Sequence, residues 1–229
     1  MQIIFYITFY LWTTLFFLSF FYIRFCSLRF ASKVSRFWTK TTMILVRVLL
    51  GITCKIHGKK NLITQPVIVV SNHQSAWETF FLFFLFNNSI YVLKKELKKI
   101  PIMNNFFEKL GFIYVDREMG SNSLRNILLK IKKKEISSKR TIIIFPEGTR
   151  VNESKISRVN SGFYLFYKYL KIPILPIIHN SGKYWHNKKF KKTSGEIQLH
   201  IFPCIKPGKD KKQVLKKINM IFKKTKKVE

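Results

Sequence analysis

The sequence has few cysteines, few acidic residues and few glycines for its length. Among its 229 residues there are 3 cysteines, 9 glycines and 11 acidic residues, the last against 42 lysines and arginines. Cys26, Cys54 and Cys204 are odd in number and scattered, which excludes a disulfide-stapled mini-protein and argues against a zinc ribbon or finger. The sequence also contains neither a Gly-rich dinucleotide fingerprint nor a phosphate-binding P-loop.

Positive charge and apolar aromatic residues are what the chain has in excess. The formal net charge is +31, hydrophobic residues make up 47% of the chain, and 23 residues are Phe. A disordered basic tail would lack the aromatic residues, so this composition predicts a folded domain. The charge favours an anionic partner, and it leaves open nucleic acid, anionic lipid and a phosphorylated substrate.

The N-terminal segment is predicted to engage a membrane. Residues 1–23 carry no charged side chain, and about 20 apolar residues let a helix cross a bilayer core of about 30 Å. Basic residues follow this stretch, which by the positive-inside tendency places that side in the cytoplasm. Four of them share one helical face, as in membrane-surface helices: Arg29, Lys33, Arg36 and Lys40. Residues 1–23 either span the bilayer or enter it as half of a helical hairpin, and the alternative for the basic helix is a solvated face.

Beyond residue 58 the chain alternates between β-branched apolar runs and helical patterns. Strands are predicted at 66–70, 90–93, 112–116, 141–145, 174–178 and 196–202. Helices are predicted at 77–86, 101–110, 124–131, 162–170 and 214–222. The alternation predicts an α/β fold, with a largely parallel sheet covered by helices. We therefore expect membrane-spanning or membrane-embedded helices at 1–58 and one α/β domain at 59–229.

Three of the predicted strands end in polar clusters, at the strand ends where α/β folds hold their ligands. The clusters are residues 71–78, Asp116-Arg117, and residues 145–150. Three such clusters in one basic chain suggest that they converge around an anion. The alternative for Asp116-Arg117 is a surface ion pair, and Lys94 lies in a lysine run whose alternative is a solvated face.

In the first cluster, His73 and Glu78 are five residues apart, so they can touch only if His73 lies in the loop and Glu78 in the first helical turn. A histidine oriented by a carboxylate can act as a general base toward a hydroxyl. The alternative is a capping box, in which Glu78 reaches back to the Ser75 amide. We expect that one carboxylate geometry cannot fully serve both roles.

The third cluster, Phe145-Pro-Glu-Gly-Thr-Arg150, has the composition of a phosphate site. A Gly-containing turn after a strand can present consecutive backbone amides to an anion, and the Thr149 hydroxyl and the Arg150 guanidinium would complete the cradle. Glu147 is expected to accept from a substrate hydroxyl or to order the basic groups. The alternative is an ordinary strand-exit turn.

These runs resemble the sequence blocks of the glycerolipid acyltransferases, and most closely those of the bacterial-type 1-acylglycerol-3-phosphate acyltransferases. Asn72–Glu78 is similar to the first block, with Glu where Asp is commoner, and Gly111–Arg117 is similar to the second. Phe145–Arg150 matches the third block, and Ile172–Ile178 resembles the fourth. The four blocks occur in order over residues 66–180.

The resemblance implies an α/β-sandwich enzyme at the cytoplasmic face of the cytoplasmic membrane. It implies transfer of a fatty acyl group from acyl-CoA or acyl-carrier protein to the 2-hydroxyl of lysophosphatidate, with phosphatidate as the product. His73 would be the base and Glu78 would orient it. The residues implied to hold the acceptor phosphate are Lys94, Arg117, Glu147, Gly148, Thr149 and Arg150. The resemblance implies no metal, no covalent acyl-enzyme and no bound cofactor.

Two other functions stay open on the sequence alone. The first keeps the chemistry and changes the acceptor to glycerol 3-phosphate or another lysolipid. The second is a non-catalytic basic protein that binds RNA or an anionic membrane, which explains the charge but not the three polar strand ends. Because the chain lacks the aromatic-plus-Gly pattern of an RNA-recognition sheet, no nucleic acid partner is expected, while anionic membrane lipid is. The other histidines, at 57, 179, 186 and 200, are expected to be structural or solvated.

Overall fold

The structure is a computed structural model that describes residues 1–63, 66–116, 140–152, 159–187 and 189–227. The strands are β1 (Ile52–His57), β2 (Ile68–Ser71), β3 (Ser89–Lys94), β4 (Ile113–Val115), β5 (Thr141–Ile144), β6 (Ile174–His179) and β7 (Gly195–Ile201). The α-helices are α1 (Gln2–Ser19), α2 (Leu28–Leu50), α3 (Trp77–Leu85), α4 (Pro101–Leu110), α5 (Gly162–Leu170) and α6 (Lys211–Lys223). Short 3-10 turns lie at Phe21–Phe25, Lys59–Asn61, Lys95–Lys99, Ser181–Lys183 and Lys224–Lys227.

The strands of the described chain form one sheet in the order β1-β7-β6-β2-β5-β3-β4. Every neighbouring pair is parallel except β6 and β7, which are antiparallel. The prediction of a largely parallel sheet covered by helices is therefore confirmed. Because β2, β3 and β5 run in the same direction, the residues that follow them gather at one edge of the sheet.

Two hydrophobic cores cover the two faces of this sheet. Alternate residues of β2 and β5 point to opposite sides, so Val69 and Ile143 join one core while Ile68 and Ile142 join the other. Helices α1 to α4 pack on the first face, and α5 and α6 pack on the second. The predicted helices and strands in the described ranges are all present, whereas the helix predicted at 124–131 lies outside them.

Strand β1 is an element that the sequence analysis did not predict. Its residues were assigned to the helical N-terminal segment 1–58, but they pair in parallel with β7, from Ile52 opposite Gly195 to His57 opposite His200. The correction has a simple physical reason. Apolar Ile52, Cys54 and Ile56 alternate with polar residues, which is the two-residue period of a half-exposed strand, and Gly51 ends α2 in a left-handed conformation (φ 62°).

Helix α1 lies along the α/β domain and is attached to it at both ends. Near its start, the Gln2 amide bonds in both directions with the Lys192 backbone, at 2.7 and 3.2 Å. Near its end, the Phe17 ring lies edge-on to the Phe106 ring of α4, with the centroids 4.7 Å apart. The outward side is apolar and exposed at Ile3, Ile7, Leu11 and Leu18. By length and composition, α1 is the one described helix that could cross a membrane.

Candidate active site

A cavity of about 580 Å³ lies between the N-terminal helices and the carboxyl ends of the strands. Most of its wall is apolar and comes from α1 to α4, including Phe9, Phe16, Trp38, Phe80, Phe83, Met103 and Phe106. One part of the wall carries polar groups that the sequence analysis selected, namely His73, Lys94, Gly148, Thr149 and Arg150. The predicted convergence is thus present for the first and third strand-end clusters, and Lys94 lies on the same wall.

His73 lies in the loop after β2, and Glu78 lies in the first turn of α3, as their contact requires. His73 Nδ1 is 2.8 Å from Glu78 Oε1, and the His73 side chain is 16% exposed while that of Glu78 is fully buried. The imidazole also stacks on Phe145, with the ring centroids 4.2 Å apart and the planes 14° apart. Because the carboxylate accepts from Nδ1, the neutral ring carries its proton there and leaves Nε2 able to accept one.

The Glu78 carboxylate has more donors than the imidazole alone. Oε1 also accepts from the backbone N–H groups of Gln74 and Ser75, at 2.7 Å each. Oε2 accepts from the Ser75 hydroxyl, and from the Ser181 hydroxyl at 2.8 Å. One carboxylate thus serves His73 and the Ser75 amide together, but the other half of the capping box is not formed, because the N-cap of α3 is Ala76 and the Ser75 hydroxyl accepts from the Trp77 amide. The tight turn at residues 73–75 brings the ring and both amides to the same oxygen, which can accept several hydrogen bonds.

These contacts keep Glu78 ionised inside the protein. Burial by itself raises the pKa of Glu78, but the neighbouring His179 and the hydrogen bonds from His73 and Ser75 outweigh burial, and the pKa lies well below its usual range. The imidazole of His73 therefore faces a fixed negative charge at neutral pH. Such a charge favours the imidazolium that forms when Nε2 takes a proton.

His179 is a fully buried structural residue in the described fold. Its Nε2–H donates to the Asn72 carbonyl at 2.9 Å, and its Nδ1 accepts from the Ser181 amide at 3.3 Å. The Asn72 side chain bonds in turn to the His179 N–H and C=O, at 3.0 and 2.8 Å. Burial lowers the pKa of His179, although Glu78 opposes that shift. The prediction that this histidine is structural is confirmed.

Ser181 is the site residue that sequence reasoning missed. It lies 103 residues from Glu78 in the chain and reaches it through the 3-10 turn after β6. A lone serine in a Ser-Gly dipeptide has no spacing that links it to a distant carboxylate.

The remaining histidines lie outside the site and contact their neighbours. His57 stacks on His200, with ring centroids 4.3 Å apart, and His186 Nε2 is 3.2 Å from the Thr193 hydroxyl.

The turn after β5 holds the backbone of His73 from both sides. Glu147 Oε2 accepts from the His73 N–H at 2.6 Å, and the Val151 N–H donates to the His73 carbonyl at 2.8 Å. The turn is possible because Gly148 adopts a left-handed conformation (φ 73°), in which its N–H donates to the Phe145 carbonyl. Glu147 was predicted to contact substrate or to order basic groups. The described contact orders the loop that carries the imidazole, and the two predicted roles stay predictions.

Lys94 and the next residue, Lys95, lie in different environments. Lys94 ends β3 and lines the cavity. Lys95, one residue on, points to solvent and pairs with Asp116 at 3.1 Å. Arg117, the remaining predicted phosphate ligand, lies outside the described residues. Within the described ranges, no group of three or more His, Cys, Asp or Glu side chains is arranged to hold a metal ion.

Sequence comparison places the chain among acyltransferases. A family model described as "Acyltransferase" matches residues 53–180, which is more than half of the chain. The chain is 33% identical over 168 residues to the 1-acyl-sn-glycerol-3-phosphate acyltransferase of Pseudomonas aeruginosa. It is 31% identical over 140 residues to the protein of the same name from Saccharomyces cerevisiae. These matches cover 73% and 58% of this chain, and 65% and 45% of the respective relatives.

Structural comparison finds the same architecture in a crystal structure. The 1-acyl-sn-glycerophosphate acyltransferase PlsC from Thermotoga maritima superposes with a TM-score of 0.76 at 19% sequence identity. The superposition covers 99% of this chain and 96% of that one. The likeness therefore extends over the N-terminal helices as well as the sheet.

Proposed function

The chain belongs to the acyltransferase family, and we propose that it is a 1-acylglycerol-3-phosphate O-acyltransferase that makes phosphatidate. One observation carries the proposal. His73, whose Nδ1 lies 2.8 Å from Oε1 of the buried Glu78, lines the same apolar cavity as Thr149 and Arg150. A base, a phosphate cradle and a hydrocarbon-lined space are what the reaction of a lysophosphatidate hydroxyl with an acyl thioester needs.

The proposed reaction is a direct acyl transfer. His73 Nε2 removes the proton from the acceptor 2-hydroxyl while the hydroxyl oxygen attacks the thioester carbonyl carbon. The new C–O bond forms, the C–S bond breaks, and the leaving thiolate takes the proton back from the imidazolium. Glu78 stabilises the imidazolium through Nδ1, and no acyl group is attached to the protein. General-base catalysis of this kind contributes about 10²- to 10⁴-fold to a rate.

The acceptor phosphate is proposed to lie against the turn after β5. Gly148 lets the turn form without a side chain in the way, Thr149 offers a hydroxyl donor there, and Arg150 offers a guanidinium suited to bidentate binding of a phosphate. Lys94 adds a second cation on the cavity wall, and Arg117 is proposed as a third from its place in the sequence. Fixing the phosphate fixes the distance of the hydroxyl from Nε2, and such positioning lowers the barrier.

The hydrocarbon chain is proposed to occupy the apolar part of the cavity. Phe80 and Phe83, from the helix that begins with the Glu78 turn, form part of its wall. Either acyl-CoA or acyl-carrier protein can be the acyl donor in this proposal, because both present the acyl group as a thioester. No resident metal or cofactor has a part in this mechanism.

The protein is proposed to sit at the cytoplasmic face of the membrane, with α1 embedded in one leaflet. The support is that both ends of α1 contact the same α/β domain, through Gln2 and through Phe17. A helix held in this way cannot carry one end to the far side of a bilayer. Its exposed apolar side, with the basic residues of α2 at the surface, suits an interfacial helix.

An acyl-transfer assay tests the proposal. Purified protein in uncharged detergent is given labelled acyl-CoA or acyl-carrier protein and a panel of acceptors: lysophosphatidate, glycerol 3-phosphate and uncharged or zwitterionic lysolipids. We expect transfer to lysophosphatidate, and a loss of at least about 100-fold in the His73→Ala variant. Preference for another acceptor would overturn the assigned substrate, and undiminished transfer by His73→Ala would overturn the mechanism.

A further inference from the structure

We propose that residues 184–193 form a second membrane-contact loop, which binds anionic phospholipid headgroups beside the cavity. This inference rests on the proposed membrane location of α1. The loop follows the 3-10 turn after β6 and contains the run His186-Asn-Lys-Lys-Phe-Lys-Lys192, of which residue 188 lies outside the described ranges. The proposed chemistry of the acyl transfer does not use this run.

The loop is fixed to the N-terminal half of α1. The Gln2 side chain bonds to both backbone groups of Lys192. The Tyr6 hydroxyl donates to the Phe190 carbonyl at 2.8 Å, and the Tyr6 and Phe190 rings stack with their centroids 4.5 Å apart. Wherever α1 meets lipid, the loop is therefore carried to the same surface.

Aromatic rings continue from the loop onto the helix. Phe190 stacks on Tyr6, and Tyr6 stacks on Tyr10 one turn later, with centroids 6.2 Å apart. Phe190 is 60% exposed and Tyr10 is 62% exposed. Tyrosine and other amphipathic aromatic side chains concentrate at the level of the lipid headgroups. This aromatic row therefore marks the depth at which the loop meets the bilayer.

Among the described lysines of the loop, one is buried and two face outward. Lys192 is buried, with its ammonium bonded to the carbonyls of His186 and Lys189, so this residue fixes the shape of the loop. Lys189 and Lys191, on either side of Phe190, are exposed. The sequence between residues 180 and 194 contains no acidic residue. An exposed ring between two exposed cations fits an anionic lipid surface, where each lysine contributes about 1 kcal/mol.

The loop also lies beside the cavity. Tyr10, at the end of the aromatic row, lines the cavity wall, as does Arg150. Burial lowers the pKa of Lys192, and the nearby Arg150 guanidinium lowers it further. Lipid bound at the loop is thus held next to the cavity that an anionic lysolipid would enter.

Vesicle binding by paired variants tests the inference. Full-length protein is added to vesicles of phosphatidylcholine with phosphatidylglycerol, and to vesicles of phosphatidylcholine alone. In Lys189→Gln/Lys191→Gln we expect about 25-fold weaker partitioning onto the anionic vesicles, about fivefold for each lysine, and no change on the neutral ones. The matched control, Lys211→Gln/Lys212→Gln, removes two exposed lysines from α6 on the opposite face of the sheet, and we expect less than a twofold change.

Three results would overturn the inference. The loop pair could bind anionic vesicles as tightly as the parent, or the control pair could lose as much affinity. The loop pair could also leave vesicle binding intact while weakening the binding of an acidic carrier protein in the absence of lipid, which would assign the loop to a protein partner.

Inorganic phosphate at constant ionic strength should not displace the parent from vesicles, because the loop is proposed to recognise a lipid surface. Transfer activity in uncharged detergent reports separately on the proposed function, and it should be unchanged in both pairs.

Discussion

Glu147 accepts a hydrogen bond from the backbone amide of His73, with 2.6 Å between its Oε2 and the amide nitrogen. The two residues are 74 positions apart in the chain. Through this bond the turn that carries Arg150 is fastened to the loop that carries the imidazole. The distance between the proposed base and the proposed phosphate cradle is therefore set by this carboxylate together with the backbone bond from Val151 to the His73 carbonyl.

Replacing Glu147 tests that relationship. We expect Glu147→Ala to lower kcat by about 10- to 100-fold, because a hydrogen bond to a charged group contributes about 1.5–3 kcal/mol. The Michaelis constants of donor and acceptor should change little, and Glu147→Gln, which keeps an acceptor oxygen, should recover part of the rate. A large rise in the acceptor KM with kcat unchanged would show instead that Glu147 binds substrate.

Ser181 is predicted to position the Glu78 carboxylate. Removing its hydroxyl in Ser181→Ala leaves Oε2 with one donor fewer, so we expect kcat to fall by about 5- to 10-fold at unchanged KM. Ser181→Thr should restore most of the rate because it restores the hydroxyl. Ser194→Ala, which removes the hydroxyl of an exposed serine, is the matched control. Equal losses in Ser181→Ala and Ser181→Thr would mean that packing, not the hydrogen bond, is responsible.

The lowered pKa of Glu78 predicts how stability changes in acid. The unfolded chain binds a proton at Glu78 near the ordinary pKa of about 4.3, whereas the folded chain does so only at much lower pH. The stabilisation from this group is therefore fully present above about pH 5 and is lost progressively as the pH falls toward the folded pKa. Urea unfolding of the parent and Glu78→Gln in detergent should show a difference in unfolding free energy that is constant from pH 7 to 5 and shrinks below pH 4. A difference that stays constant to pH 3 would contradict the shift.

Arg150 is predicted to act on the acceptor rather than on the donor. We expect Arg150→Ala to raise the KM for lysophosphatidate by about 10- to 100-fold, the range for a charge-assisted hydrogen bond, and the KM for the acyl donor by less than threefold. Lys95→Ala is the control, since Lys95 is an exposed cation that pairs with Asp116. Equal effects on both substrates would place the guanidinium at a site that they share.

The local geometry of the first cluster could be worked out from the sequence. A five-residue separation forces a loop and a first helical turn for any contact between His73 and Glu78, and the structure has both. The helices were predictable because each repeats its apolar residues with a helical period over several turns. The buried strands were predictable because each is a run of β-branched apolar residues with few interruptions. Strand β1 was missed because its alternating pattern is short and directly follows a long helix.

Tertiary contacts of single polar residues could not be predicted in this way. Ser181 reaches Glu78 and Glu147 reaches the His73 amide only because β2, β5 and β6 lie side by side in the sheet. Sequence spacing carries no record of which strands become neighbours. The chemistry of Glu147 was also ambiguous, since a carboxylate accepts equally well from a substrate hydroxyl and from a backbone amide.

The bond between Gln2 and Lys192 joins residues 190 positions apart, and this has a consequence for biosynthesis. At about 5–20 residues per second, a ribosome releases α1 about ten seconds or more before it has made the segment that receives it. Throughout that interval the start of the helix lacks the loop that covers it, although α4, which contacts the other end, is made earlier. A chaperone or the lipid surface must shelter it, so the nascent chain is expected to reach the membrane before the sheet is complete.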